Sequence, residues 1–317
     1  MRTGVTAILP RPAAEVLCPV FAGVFSLNGI GELSGAHLIG EAGHLAGPIT
    51  ISNTHSFGLA QDATIDWVNT RFPDAYQADF GLPVATETYD GFLNDINGSH
   101  VSREHVFEAI ESAQGGAIEE GSVGAGTGMK CFEFKAGSGT ASRLVVHDGT
   151  TYVVGIFVQA NFGDRRDLIV QGHRVGAQLE EPAMRICAPS VEKSSIIGVV
   201  ATDAPLLPHQ VARLARRAPL GMARTGGLAR HSSGDIFLAF STANADTVRS
   251  GERSLSYAHF IPDSCLDPLF EAVVQGTEEA ILNSLACNEA MEGRDGNSVP
   301  ALPLEALQAL IETSPID

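Results

Sequence analysis

No stretch of this chain approaches the roughly 18 apolar residues of a spanning helix. Its start, Met1-Arg2-Thr3-Gly4-Val5, lacks a signal-peptide layout, and Pro10-Arg11-Pro12 ends the only apolar run there. No membrane partner is expected. Basic residues are scarce: Lys and Arg total 20 against 37 acids, a formal net charge of -17. That balance opposes binding to polyphosphate, so nucleic acid is excluded as a partner. The five cysteines, Cys18, Cys131, Cys187, Cys265 and Cys287, never form a Cys-x-x-Cys pair. They read as reduced core residues in a cytoplasmic setting. The ten histidines contain no His-Glu-x-x-His or His-x-x-x-His, so neither a metal nor another cofactor is expected. No Gly-x-Ser-x-Gly elbow occurs. Lys130, after Gly124-Ala125-Gly126-Thr127-Gly128-Met129, stands one place late for a phosphate loop and lacks the following Ser or Thr; close backbone packing explains those glycines better. Internal repeats and low-complexity tracts are also absent.

What remains is ample for a core: 317 residues, 44% of them hydrophobic. Short apolar runs alternate with helical patterns and glycine-rich turns, as in mixed α/β proteins. Strands are predicted at Ile49 to Ser52, Cys131 to Lys135, Arg143 to His147, Tyr152 to Gln159, Ser195 to Ala201 and Ile236 to Ser241. Helices are predicted at Gly58 to Thr70, Arg103 to Gln114 behind an N-cap at Ser102, Pro208 to Arg217, Leu266 to Ala286 with an interruption near Gly276, and Leu304 to Ile311. Gly115 to Gly128 reads as a loop. The weakest pattern is Gly172 to Ser194, with Pro182 and Pro189, directly before the strand that Ser195 opens.

That strand is the informative feature. A hydroxyl residue that follows an irregular polar linker and starts an apolar strand can attack its own preceding carbonyl and be released as a new amino terminus. Ser195-Ile196-Ile197 followed by Ala201-Thr202-Asp203-Ala204-Pro205-Leu206 resembles the nucleophile segment of the L-aminopeptidase/D-esterase family, which includes the bacterial β-aminopeptidases. Asn28-Gly29-Ile30-Gly31-Glu32, Thr54-His55-Ser56, Glu87-Thr88-Tyr89-Asp90-Gly91, Gly124 to Met129, Lys135 to Thr140, Gln159 to Gly163, Ser233 to Asn244 and Gly293-Arg294-Asp295-Gly296 match further family signatures in order. The resemblance spans nearly the whole chain.

It implies a four-layer α/β/β/α sandwich of the α/β (α+β) class, shared with the ornithine acetyltransferases. It also implies one self-processing domain over residues 1–317, cut between Ser194 and Ser195 into an α chain of 1–194 and a β chain of 195–317. Ser195 would be the nucleophile, with Ser194 a competing hydroxyl. Ser194 replaces the expected glycine or asparagine, which predicts slower processing. Ser233 and Asp235 would orient the freed amine, Asp235 with a shorter reach than a glutamate. Asn161 would donate to the oxyanion and Tyr89 would assist. Glu87 would bind the substrate's ammonium. Taken singly, each has a plainer reading: a strand-edge serine, a turn, a strand-ending asparagine, a packed tyrosine, a solvated acid. His55 reads as a hydrogen-bonded structural histidine beside a pocket.

The implied activity is hydrolysis of amino-terminal residues from short peptides, amides or esters through an acyl-enzyme, by a homo-oligomer of processed pairs. Acyl transfer to an amine and a noncatalytic, unprocessed scaffold are the alternatives. Arg2 to Ile8 resembles an internal family segment normally preceded by strands. Either the start is misassigned and residues precede Met1, or the protein lacks elements that would close one edge of the sheet; a periplasmic setting is left open if a leader lies upstream.

Overall fold

Along Ser194–Thr202 successive side chains enter two different cores: Ile196 and Val200 join one cluster, Ile197 and Val199 another. A strand apolar on both faces needs a layer on each side, so this segment specifies a stacked architecture rather than a solvent-facing sheet. A computed structural model of the chain, describing residues 1–76, 80–179, 181–187, 193–245, 247–248 and 255–313, shows that stack.

The strands are β1 Thr6–Ile8, β2 Val20–Gly29, β3 His44–Leu45, β4 Ile49–Asn53, β5 Val84–Thr88, β6 Lys130–Cys131, β7 Phe134–Lys135, β8 Ser138–His147, β9 Thr150–Asn161, β10 Ser194–Thr202, β11 Ser233–Ser241, β12 Met291–Glu292 and β13 Ser298–Val299. The helices are α1 Ala36–Ala42, α2 Phe57–Arg71, α3 Arg103–Glu111, α4 Pro208–Ala215, α5 Ala218–Arg224, α6 Asp267–Ala286 and α7 Leu304–Thr313. One sheet has the order β3-β2-β11-β10-β9-β8 and the other β1-β4-β5. Helices α4, α5 and α6 cover the outer face of the larger sheet through Phe237, Val211, Leu214 and Val273. Helices α2 and α3 cover the smaller one through Ala60, Trp67, Val106 and Ile110. Between the sheets lie Ile49, Ile51, Val84, Ile197, Val199 and Leu238. This is the four-layer α/β/β/α sandwich.

Four expectations need correction. Helix α6 runs unbroken through Gly276, because the missing side chain lets it lie on β9: a Cβ there would stand 2.8 Å from Ile156 Cγ1. The stretch Cys131 to Lys135 is not one strand but the paired β6 and β7, reversed at Phe132 and Glu133, whose φ angles are 50° and 61°. Helices α3 and α4 stop at Glu111 and Ala215, short of the expected Gln114 and Arg217. Of the cysteines only Cys131 is a core residue; Cys18, Cys187 and Cys287 are exposed, and all five are free. The glycine-rich loop is packing, as expected, since a Cβ on Gly128 would lie 2.2 Å from the Arg2 carbonyl oxygen. Of the segment Gly172 to Ser194, residue 180 and residues 188–192, Pro189 among them, lie outside the described residues.

Candidate active site

Strand β10 is the fourth in its sheet, and its first residues lie between the end of β9 and the start of β11. Ser195 pairs with Asn161 on the antiparallel side and Gly234 on the parallel side; Ser194 pairs with Ser233, and Ile196 with Asp235. Directly opposed residues share a face. Ser195 and Asn161 therefore point toward the smaller sheet, like Ile197 and Val199, whereas Ser233 and Asp235 point toward the helical layer, like Ile196 and Phe237. The Ser194–Ser195 peptide lies between these two polar groups.

Each group is buried. The Ser195 hydroxyl, 3% exposed, accepts the Tyr89 backbone N–H at 3.2 Å. Asn161 Oδ1 accepts the Lys130 N–H at 3.1 Å, while its Nδ2 has no partner among the described residues. Ser233 Oγ donates to Asp235 Oδ1 at 2.6 Å, and Asp235 Oδ2 has no partner. Burial pushes the Asp235 carboxyl up to about 6, the Ser233 hydrogen bond acting against it. Unpartnered buried polar atoms are rare and costly, so two in the strands that flank β10 mark a place prepared for something else.

Glu87, near the end of β5, is not the solvated acid of its plainer reading: it is 5% exposed. Its Oε1 accepts the Glu32 N–H at 3.1 Å and its Oε2 accepts the Thr54 hydroxyl. Burial raises its pKa; the Thr54 and Glu32 hydrogen bonds lower it, the Glu32 charge raises it and His55 lowers it. Glycines bring this carboxylate to the head of β10. A Cβ on Gly31 would stand 3.2 Å from both Glu87 Oε1 and the Cα of Gly234, the strand partner of Ser195.

Tyr89 directly follows β5. Its backbone N–H meets Ser195, while its ring lies over Gly91, where a Cβ would be 2.4 Å from the hydroxyl oxygen. His55, expected as a hydrogen-bonded structural histidine, is exposed, and its backbone N–H donates to Asn53 Oδ1 at 3.0 Å. Thr54 and the Glu32 N–H were not predicted as site groups, although both lie inside family-like motifs. Among the described residues no group of three or more His, Cys, Asp and Glu side chains is placed to hold a metal ion, and no helix is long and apolar enough to cross a membrane.

Known proteins match this arrangement over nearly its whole length. The sequence model of Peptidase family S58 matches residues 1–299. The β-peptidyl aminopeptidase BapA of Sphingosinicella microcystinivorans is 45% identical over 324 residues, covering 98% of this chain and 80% of the relative. A β-aminopeptidase from Burkholderia sp. superposes with a TM-score of 0.88 at 44% identity, covering 99% of this chain and 88% of that one. The L-aminopeptidase D-Ala-esterase/amidase of Ochrobactrum anthropi, described as a variant of the Ntn hydrolase fold, superposes with a TM-score of 0.90 at 41% identity, covering 98% and 85%.

Proposed function

This chain belongs to peptidase family S58, and from that we propose that it cuts itself before Ser195 and then works as an aminopeptidase through the amino terminus so released. The observation that carries this reading is the head of β10: a buried Ser195 hydroxyl with the unused Asn161 donor beside it and the Ser233–Asp235 pair across the strand.

In self-cleavage the Ser195 Oγ attacks the Ser194 carbonyl carbon. The C–O bond forms, the C–N bond breaks, and the nitrogen takes the hydroxyl proton. Water then hydrolyses the ester, leaving a Ser194 carboxylate and a free Ser195 amine. An α-amine titrates at about 7.7 to 8.0, so it is a usable base near neutrality, whereas in the intact peptide that nitrogen accepts no proton. In turnover the amine takes the Ser195 hydroxyl proton as Oγ attacks the substrate carbonyl. Asn161 Nδ2 donates to the oxyanion, a fixed donor of this kind being worth about 2.7 to 4 kcal/mol. The amine returns its proton to the leaving nitrogen, and water releases the acyl group. Asp235 and Ser233 hold the amine; Glu87 pairs with the substrate's ammonium, which makes the activity amino-terminal. The β-peptidyl aminopeptidase relatives support a β-amino acid as the residue released.

The two pieces stay together. In the order β3-β2-β11-β10-β9-β8 the strands of 195–317 sit between those of 1–194, so neither piece forms the sheet alone. We place the enzyme in the cytoplasm, on its five free cysteines, and as a homo-oligomer, on the exposed Leu144, Val146 and Val153 of the β8–β9 edge.

Intact mass under denaturing conditions, with terminal sequencing, tests the central reading. Two fragments ending at Ser194 and starting at Ser195 are expected, with the 33.2 kDa chain left whole in Ser195→Ala. A wild-type chain that stays whole after prolonged incubation refutes it.

A further inference from the structure

Arg230 has no part in the chemistry above, yet its place in the fold is specific. It stands three residues before Ser233, and its carbonyl accepts the Ser233 N–H at 2.9 Å and Asn28 Nδ2 at 2.7 Å. Its guanidinium crosses to the chain leaving β9, where Nη2 meets Asp164 Oδ2 at 2.7 Å and also Asp167 Oδ2. Asp164 follows Asn161 by three residues and faces Arg166 at 3.8 Å as well. The two loops touch again where Ile169 N–H donates to the Thr225 carbonyl at 2.9 Å. Strand β10 lies between β9 and β11, with Ser195 beside Asn161 and Ser194 beside Ser233. The ion cluster therefore links the chain leaving β9 to the chain entering β11, the two strands that flank the start of β10.

We infer that Arg230 is a positioning residue for self-cleavage: by clamping the β9 exit to the β11 start through Asp164 and Asp167, it fixes the Asn161 and Ser233 arms on either side of the scissile bond. This rests on the reading that the chain cuts itself before Ser195. All three side chains are partly exposed, at 37% for Arg230, 26% for Asp164 and 20% for Asp167. Ion pairs of that kind add little to global stability. Geometry at a reacting bond is far more sensitive, a misplacement of about 1 Å costing roughly 10²-fold. Loss of the clamp is thus expected to slow cleavage without unfolding the protein, a split that a merely structural ion pair does not produce.

The test is a cell-free translation of the full chain, stopped and chased, with the first-order appearance of the 195–317 fragment followed by denaturing mass spectrometry. Relative to wild type, Arg230→Gln is expected to cleave at least about tenfold more slowly. Arg230→Lys should recover most of the rate, and the Asp164→Asn/Asp167→Asn pair should match Arg230→Gln. Melting temperatures should stay within about 3 °C of wild type, as partly exposed pairs imply. Should Arg230→Gln fail to fold, the paired carboxylate variant carries the same expectation with β11 untouched. Cleavage of Arg230→Gln or the paired variant within twofold of wild type overturns the clamp, as does a lysine variant no faster than glutamine. A wild-type chain that never cleaves overturns self-processing itself, so the two failures are distinguishable.

Discussion

The two ends of strand β10 are built from the same kinds of residue and treat them in opposite ways. At its far end Thr202 Oγ1 donates to the Val153 carbonyl at 2.7 Å and accepts the Ala204 N–H at 3.1 Å; the Thr202 carbonyl accepts the Thr242 N–H at 2.9 Å. Asp203 Oδ1 accepts the Val153 N–H at 2.7 Å, and Ser241 Oγ donates to the Ala204 carbonyl at 2.7 Å. Hydroxyls and a carboxylate there close a turn. At the head, Asn161 Nδ2 and Asp235 Oδ2 are buried without partners among the described residues. One strand thus has a finished end and an unfinished one. A polar group left unmade in a core costs on the order of 1 to 3 kcal/mol, so the head stores a cost that the tail does not.

The largest test of that contrast is Ser195→Ala, expected to abolish both cleavage and peptide turnover; residual turnover by purified, uncleaved variant would break the assignment. Next comes Asn161→Ala, which removes the unused donor: kcat is expected to fall about 10² to 10³-fold, the loss typical of one oxyanion donor, while KM moves little. For Glu87→Gln the expected effect is on binding, a KM rise of roughly ten- to a hundredfold for substrates with a free amine, consistent with losing one charge-assisted pair. Equal losses on an amino-acetylated substrate would separate Glu87 from ammonium recognition.

Asp235 sharpens the contrast through pH. Its folded carboxyl titrates near 6, above the ordinary carboxylate range, so it stabilises the fold fully below about pH 4 and that contribution is lost as pH rises through 6. In an uncleaved Ser195→Ala background, Asp235→Asn is expected to be more stable than its parent at pH 8 by about 3 kcal/mol and to converge with it near pH 4. Denaturant midpoints across that range measure it. A constant difference at all pH values would mean that the carboxyl is not held neutral by burial.

Strands β10 and β11 were legible because both are apolar on each face, and the residues at their heads were legible through the motifs around Ser195 and Ser233. Strand β2, next to β11, was missed although Val20 to Phe25 is apolar, since a short apolar run does not distinguish strand from buried helix. Gly276 misled for a physical reason: an isolated glycine in a helix reads as a break, and only the β9 surface shows it as a contact. The surroundings of Glu87 were not legible at all. Its partners Thr54 and Glu32 are 33 and 55 residues away in the chain, and nothing local predicts that they converge on one carboxylate. Arg230 likewise meets Asp167 across 63 residues. Motifs reveal which residues carry chemistry; which groups hold them still is written in tertiary approach.

The finished end supplies the smallest expected effect on activity and the control for all the others. Thr202→Val keeps the shape of the side chain but removes the bond to the Val153 carbonyl and the acceptor for the Ala204 N–H. Because the Val153 carbonyl of β9 and the Ala204 N–H each lose a partner, stability should fall by about 1 to 3 kcal/mol. Ser195 lies seven residues away along a strand that is paired on both sides, so kcat and the cleavage rate should be unchanged. If Thr202→Val instead slowed cleavage as much as the head variants do, the two ends of β10 would be mechanically coupled. The division into a structural end and a reactive one would then fail.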